Sequence, residues 1–217
     1  MLEELKKQVV AAAKEADRLG MCKHKSGNFS MYDPETGYAV ITPSGVAREV
    51  LTEKDAAVLD LDANVIERCS SAKPSSEALM HLMIYRERPE VRAIVHTHAR
   101  YSTAFAILRK PIPPIVYECS WLGQSPTIPV APYGRPGTRD LAEKVAETLL
   151  HADCCLMESH GAIAVGDSMD DAMLRAEYVE EMAELYYIAL SVNHGEEPAV
   201  LPAEELRKWA YPKEIRL

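Results

Sequence analysis

Two histidines one residue apart close the segment Val91-Arg92-Ala93-Ile94-Val95-His96-Thr97-His98, an apolar run that reads as a buried strand. Alternation along a strand sends both rings to one face of a sheet, where they could grip a single metal ion. A lone His-x-His is also compatible with structural histidines, so a third donor matters. His160, in Glu158-Ser159-His160-Gly161 between two more apolar runs, is the best candidate, because the glycine lets the backbone turn there. Three imidazoles leave a coordination position for water or substrate, whereas a structural zinc site is closed by a fourth ligand, usually cysteine. The trio therefore points to a Lewis acid. Cys22 and His24 form a competing pair at a helix exit, without a second pair to complete a site. His81, four residues after Glu77, is expected to face the core or its rim, and His151 and His194 read as loop or helix-end residues.

Glu77 follows Pro74-Ser75-Ser76. Beside a metal, its carboxylate could accept and donate a proton or fill the open position until substrate arrives. The plainer reading is a first-turn glutamate stabilised by the helix dipole. Three segments, Ser26-Gly27-Asn28, Thr42-Pro43-Ser44-Gly45 and Ser75-Ser76, combine hydroxyl or amide groups with turn-forming glycine or a helix start. Hydroxyls and backbone N–H groups at turns and helix N-termini can hold a phosphate without lysine or arginine. Each segment alone also reads as an ordinary turn or cap.

These residues need elements to position them. Apolar spacing predicts an amphipathic helix over 2–19, stopped at Gly20, and a hairpin from 29–32 and 38–42 around Asp33-Pro34-Glu35-Thr36-Gly37. Thr52 with Asp55 resembles a helix start, and strands follow at 57–61 and 65–67. Ser75 and Ser76 cap a helix to about Arg86 with Glu77 in its first turn, and 91–98 is a strand. A helix runs from Thr138 to about His151, strands occupy 154–158 and 162–165, and Ser168 with Asp171 opens a long helix to about Val192. Short hairpins without regular strand-helix-strand alternation predict an α/β fold whose mixed, largely antiparallel sheet is flanked by helices, rather than a doubly wound parallel sheet.

The chain has 217 residues, 47% hydrophobic and 26% charged, without a linker, repeat or low-complexity tract, and is read as one domain, 1–217. A net charge of -9 with scattered basic residues disfavours nucleic acid or an anionic membrane surface as partner. No signal peptide and no spanning run of ~20 apolar residues is evident, so a soluble, unexported protein is expected. Five cysteines, with no Cys-x-x-Cys pair and with Cys154 and Cys155 adjacent in an apolar run, suggest reduced thiols in the cytoplasm.

Taken in order, Ser26-Gly27-Asn28, Thr42-Pro43-Ser44-Gly45, Ser75-Ser76-Glu77, His96-Thr97-His98 and His160-Gly161 resemble the class II aldolase/adducin family over nearly the whole chain, and look closest to its L-fuculose-1-phosphate aldolase branch. The resemblance implies cleavage of a ketose 1-phosphate to dihydroxyacetone phosphate and an aldehyde such as L-lactaldehyde. It implies Zn2+, or another divalent ion, on His96, His98 and His160, with Glu77 as acid/base and as occupant of the open position. It implies a phosphate site of Gly27, Asn28, Thr42, Ser44, Gly45, Ser75 and Ser76. Tyr117 resembles the tyrosine that handles the proton on the C4 oxygen, and Tyr211 a second one on the C-terminal tail. A cyclic homotetramer with sites at subunit boundaries is implied as well. Tyr133-Gly134-Arg135-Pro136-Gly137 departs from the family where relatives can carry an aromatic shaping the aldehyde pocket. The epimerase branch typically has aspartate where this chain has Glu77, which favours the aldolase. A 5-deoxyribulose-1-phosphate aldolase is closest in chemistry among the alternatives. Dehydratases and decarboxylases share the metal trio, and a non-catalytic domain of the adducin kind would lack it.

Overall fold

The computed structural model describes residues 1–207, so Tyr211 lies outside the described residues. Its centre is an eight-stranded sheet of β1 (Asn28–Asp33), β2 (Tyr38–Ile41), β3 (Ala57–Asp60), β4 (Val65–Glu67), β5 (Ala93–Thr97), β6 (Val130–Ala131), β7 (Cys154–Met157) and β8 (Gly161–Gly166). The order is β4-β3-β2-β1-β5-β8-β7-β6, and every neighbouring pair is antiparallel except β6 with β7. The expected mixed, largely antiparallel sheet is the one observed.

Helices cover both faces. α1 (Glu3–Arg18), α3 (Arg100–Leu108) and α5 (Met169–Val192) pack on one side, and α2 (Ala78–Glu87) and α4 (Arg139–Thr148) on the other. A short α6 (Ala203–Arg207) follows. Alternation along the strands divides two cores: Ala93 and Val95 of β5 join the first, while Ile94 joins the second. His96 shares the parity of Ile94 and so turns toward the side of α2. Asn28 and Ser30 of β1, directly opposite His96 and Ile94, share that face.

The predicted caps are present at two helices. Thr138 Oγ1 accepts from Leu141 N at 3.4 Å and Ser168 Oγ from Asp171 N at 3.2 Å. The Thr52–Asp55 capping box forms, but on a single 3-10 turn, Glu53–Asp55, before the chain enters β3. The strand expected to reach His98 ends at Thr97. α3, which the residue pattern does not announce, starts at Ala99 without a side-chain cap of its own. Its first amides are satisfied from α5: Glu180 accepts from Tyr101 N and Ser102 N, each at 2.9 Å, and from Ser102 Oγ at 2.7 Å. All five cysteines are free, four of them buried. Among the described residues no helix is long and apolar enough to cross a membrane.

Candidate active site and metal centre

Glu77, His96, His98 and His160 converge from four places in the chain, and one potential ligand atom from each lies within 4.8 Å of all the others. His96 is fully buried on β5. His98 stands just past that strand, where its amide donates to the Met21 carbonyl at 3.0 Å. His160 ends the turn between β7 and β8, after Ser159 in the left-handed region at φ 56°. Gly161 permits this convergence. A Cβ there would lie 2.3 Å from the Thr97 carbonyl oxygen, 3.3 Å from the His96 ring and 3.4 Å from the His98 ring. Glu77 is not inside the first turn of α2, as expected, but is its N-cap residue, at φ -102° and ψ 15°. Ser75 Oγ accepts from the Glu77 amide at 3.2 Å, and the freed carboxylate turns into the cluster.

Glu77 Oε2 is 3.2 Å from His96 Nε2, and Oε1 is 3.3 Å from His160 Nε2. The second contact is within ion-pair range but is not aligned as a hydrogen bond, and buried Oε1 has no hydrogen-bond partner among the described residues. His96 Nδ1 lies 2.8 Å from the Ala162 carbonyl, which can only accept, so Nδ1 carries a proton and Nε2 points into the cluster. His98 Nε2 lies 3.0 Å from His96 Nε2. Burial pushes the His98 pKa down to about 3, with the neighbouring His96 and His160 adding to it, and burial with His96 pushes His160 down to about 4. Burial alone would raise the Glu77 carboxyl, but the contacts with His96 and His160 and the Asn28 amide outweigh it and hold the group below the usual carboxylate range. Three imidazoles with converging nitrogens, two of them kept neutral by burial, a carboxylate held ionised and an oxygen without a hydrogen bond fit a divalent cation.

Beside this group lies a cavity of about 340 Å³. Gly27, Asn28, Ser44, Gly45, Ser75 and Ser76 line it, together with Glu77, His98 and His160, so most of the expected anion-binding residues meet the metal group. Thr42 does not line it. Thr42 is fully buried and stitches the wall: its Oγ1 accepts from Phe29 N at 3.1 Å and its carbonyl from Ser75 N at 3.1 Å. Tyr117 opens a 3-10 segment, Tyr117–Leu122, is half exposed, and is not among the residues lining the cavity. Lys25, which sequence reasoning passed over, lines the cavity with its backbone at φ 68°. Its position directly before Ser26-Gly27-Asn28 was the available signal. A larger, mostly apolar groove of about 640 Å³ between α1 and α5 holds no histidine or cysteine.

Residues 7–187 match the model of the Class II Aldolase and Adducin N-terminal domain. The chain belongs to the class II aldolase/adducin family. Within it, the chain is 34% identical over 210 residues to a 5-deoxy-D-ribulose 1-phosphate aldolase of Bacillus thuringiensis serovar kurstaki, covering 97% of this chain and 95% of that one. It is 36% identical over 190 residues to an L-fuculose phosphate aldolase of Escherichia coli O6:H1, covering 88% and 86%. The solved structure of an L-fuculose 1-phosphate aldolase superposes with a TM-score of 0.87 at 34% identity, covering 94% of this class II aldolase-family chain and 93% of its own.

Proposed function

We propose that the protein is a metal-dependent aldolase that cleaves a ketose 1-phosphate of the L-fuculose 1-phosphate kind to dihydroxyacetone phosphate and a short aldehyde such as L-lactaldehyde. The observation that carries this reading is the joining of two sites in one place: of the group Glu77, His96, His98 and His160, the carboxylate and the His98 and His160 rings open onto a cavity walled by hydroxyls and turn amides. A phosphate held there by Asn28, Ser44, Gly45, Ser75 and Ser76, with Gly27 and Thr42 shaping the wall, would place the first carbons of the sugar beside Glu77. A divalent cation, for which zinc is our choice, held by His96, His98 and His160 would supply a Lewis acid for the negative charge that develops as the C3–C4 bond breaks. Glu77, which can occupy the open position before substrate arrives, would then move a proton at C3 of the three-carbon phosphate. Because Tyr117 does not line the cavity of its own chain, we assign it to the site of a neighbouring subunit in a homotetramer, and Tyr211 to the tail closing that site.

The same chemistry serves 5-deoxyribulose 1-phosphate, which shares the phosphate-bearing half of the substrate, and the relative from Bacillus thuringiensis favours it as the second reading. The test is release of dihydroxyacetone phosphate from each sugar phosphate through a coupled reductase, with and without EDTA. Metal-dependent release is expected from at least one. A folded, metal-loaded protein that releases none from either would overturn the aldolase reading.

A further inference from the structure

Behind Glu77, away from the cavity, an unbroken line of buried polar groups crosses from α2 to β1 and back. Tyr85 Oη lies 2.7 Å from Ser30 Oγ, Ser30 Oγ lies 2.6 Å from His81 Nδ1, His81 Nε2 meets Asn28 Oδ1, and Asn28 Nδ2 donates to Glu77 Oε2 at 2.8 Å. Relative exposures are 1% for Tyr85, 0% for Ser30 and His81, 5% for Asn28 and 7% for Glu77, so water does not compete for these bonds.

The chemistry of the groups sets the direction of every bond. An ionised carboxylate only accepts, so Asn28 must turn its NH2 to Glu77 and its carbonyl oxygen to His81. That oxygen also only accepts, so His81 carries its proton on Nε2. Burial pushes its pKa down to about 3 and keeps the ring neutral, which leaves Nδ1 as an acceptor for the Ser30 hydroxyl. Ser30, having spent its proton, accepts from Tyr85. Four donors thus point one way, and all end on Glu77 Oε2. Oε1, the oxygen without a hydrogen bond, is the one left for proton transfer.

We propose that His81, backed by Ser30 and Tyr85, is a positioning residue: it locks the Asn28 amide so that Asn28 engages one oxygen of Glu77 and leaves the other to react. This rests on the aldolase reading above. Without a donor at His81, Asn28 can rotate, both carboxylate oxygens lose their distinct roles, and the side chain that lines the phosphate cavity loses its fixed orientation as well.

The test uses the full-length, metal-reconstituted protein with three variants: His81→Leu, which removes the donor, His81→Gln, which can restore one, and Tyr85→Phe, which deletes only the far hydroxyl. The readouts are bound metal, kcat and KM for cleavage, and exchange of the C3 hydrogen of dihydroxyacetone phosphate in D2O, which isolates the proton step. Expected are unchanged metal content, a fall in both kcat and exchange of about 10- to 100-fold in His81→Leu, partial recovery in His81→Gln and a loss of a few-fold in Tyr85→Phe. If His81→Leu fails to fold, the other two variants decide. Wild-type exchange per bound metal in folded His81→Leu, an equal loss in His81→Gln and His81→Leu, or, where His81→Leu does not fold, wild-type exchange in Tyr85→Phe would overturn the proposal. A wild-type protein inactive on all ketose 1-phosphates would instead fail the aldolase reading itself.

Discussion

Glu77 is asked to do two things that pull in opposite directions. It must stay ionised in a site that buries it, and it must keep an oxygen free enough to take a proton. Two of the histidines help secure the first, since the contacts with His96 and His160, together with the Asn28 amide, offset the cost of burial. Asn28 secures the second by occupying only Oε2. Glu77→Gln preserves size and most contacts, so the expected outcome is near-stoichiometric bound metal with turnover lower by about 10²- to 10⁴-fold. Metal analysis beside a coupled assay checks it, and wild-type turnover removes Glu77 from the chemistry. His81 makes a separate statement about pH. Its ordinary value is 6.5 and burial pushes it to about 3, so between those limits the unfolded chain binds a proton that the native state does not. Stability therefore falls as pH drops from 6.5 toward 3. Glu77 acts in the same direction lower down: its contribution is present above 4.5, its ordinary value, and is lost as pH falls through its lower folded value. The thermal midpoint of the chelated protein should decline between pH 6.5 and 4.5, with a shallower decline in His81→Gln. Parallel slopes in the two proteins would show that His81 is not the proton acceptor.

At the scale of elements, the site is a seam where β5 ends beside the start of β8 and the start of α2 closes over them. Gly161 sits in that seam against backbone, with a would-be Cβ 2.3 Å from the Thr97 carbonyl oxygen, so Gly161→Ala must push the two strands apart. The expected cost is about 1–3 kcal/mol of unfolding stability, together with weaker metal retention because the His96 and His98 rings lie against the same point. Urea titration and metal content after dialysis check both, and an unperturbed variant would mean that the seam yields without cost. The parts of this seam that obey local rules were legible in the sequence. Strand alternation placed His96, Gly161 marked the turn after His160, and Ser168 and Thr138 marked helix starts through caps that form as expected. What was not legible depends on partners distant in the chain. The start of α3, immediately after His98, is capped by Glu180 from 79 residues away, and no local pattern announces such a partner. His81 is buried in the core as its spacing implies, but its two hydrogen-bond partners lie on β1, more than fifty residues earlier, beyond the reach of any local pattern. Glu77 was read as a first-turn residue, since only the bond from its amide to Ser75 shows that the helix begins one residue later.

For the whole molecule, two consequences follow from a site made of strand ends, a turn and a helix start around a sheet that is already packed. Although His96 lies on central strand β5, the two apolar cores are built from other residues, so chelation should lower stability without unfolding the chain. At about a hundredfold excess of metal over Kd, binding contributes about 2.7 kcal/mol. With about 2–4 °C of thermal midpoint per kcal/mol for a protein of this size, EDTA should lower the midpoint by about 5–10 °C while leaving the far-ultraviolet circular dichroism unchanged. Loss of that spectrum would instead make the metal part of the fold. The second consequence concerns what lies outside one chain. Tyr117 and Trp121 on the 3-10 segment, Ile107 and Leu108 at the end of α3, and Tyr187 on α5 are 48%, 42%, 60%, 67% and 52% exposed, a large apolar area for a solitary chain to leave in water. If, as proposed, an assembly covers these residues and brings Tyr117 to a neighbour's cavity, two inactive variants can repair each other. Glu77→Gln lacks the proton carrier but offers Tyr117, whereas Tyr117→Phe lacks the hydroxyl but offers Glu77. Subunits mixed one to one and allowed to reassort at random would rebuild about a quarter of the sites with both groups intact, because each site draws them from two different chains. Activity near that fraction of the wild-type rate, from two variants that are each nearly inactive, is the expected outcome. Sedimentation must first show that the mixed assemblies have formed. If they have and the mixture stays as inactive as its parts, Tyr117 does not act on a neighbouring subunit's site.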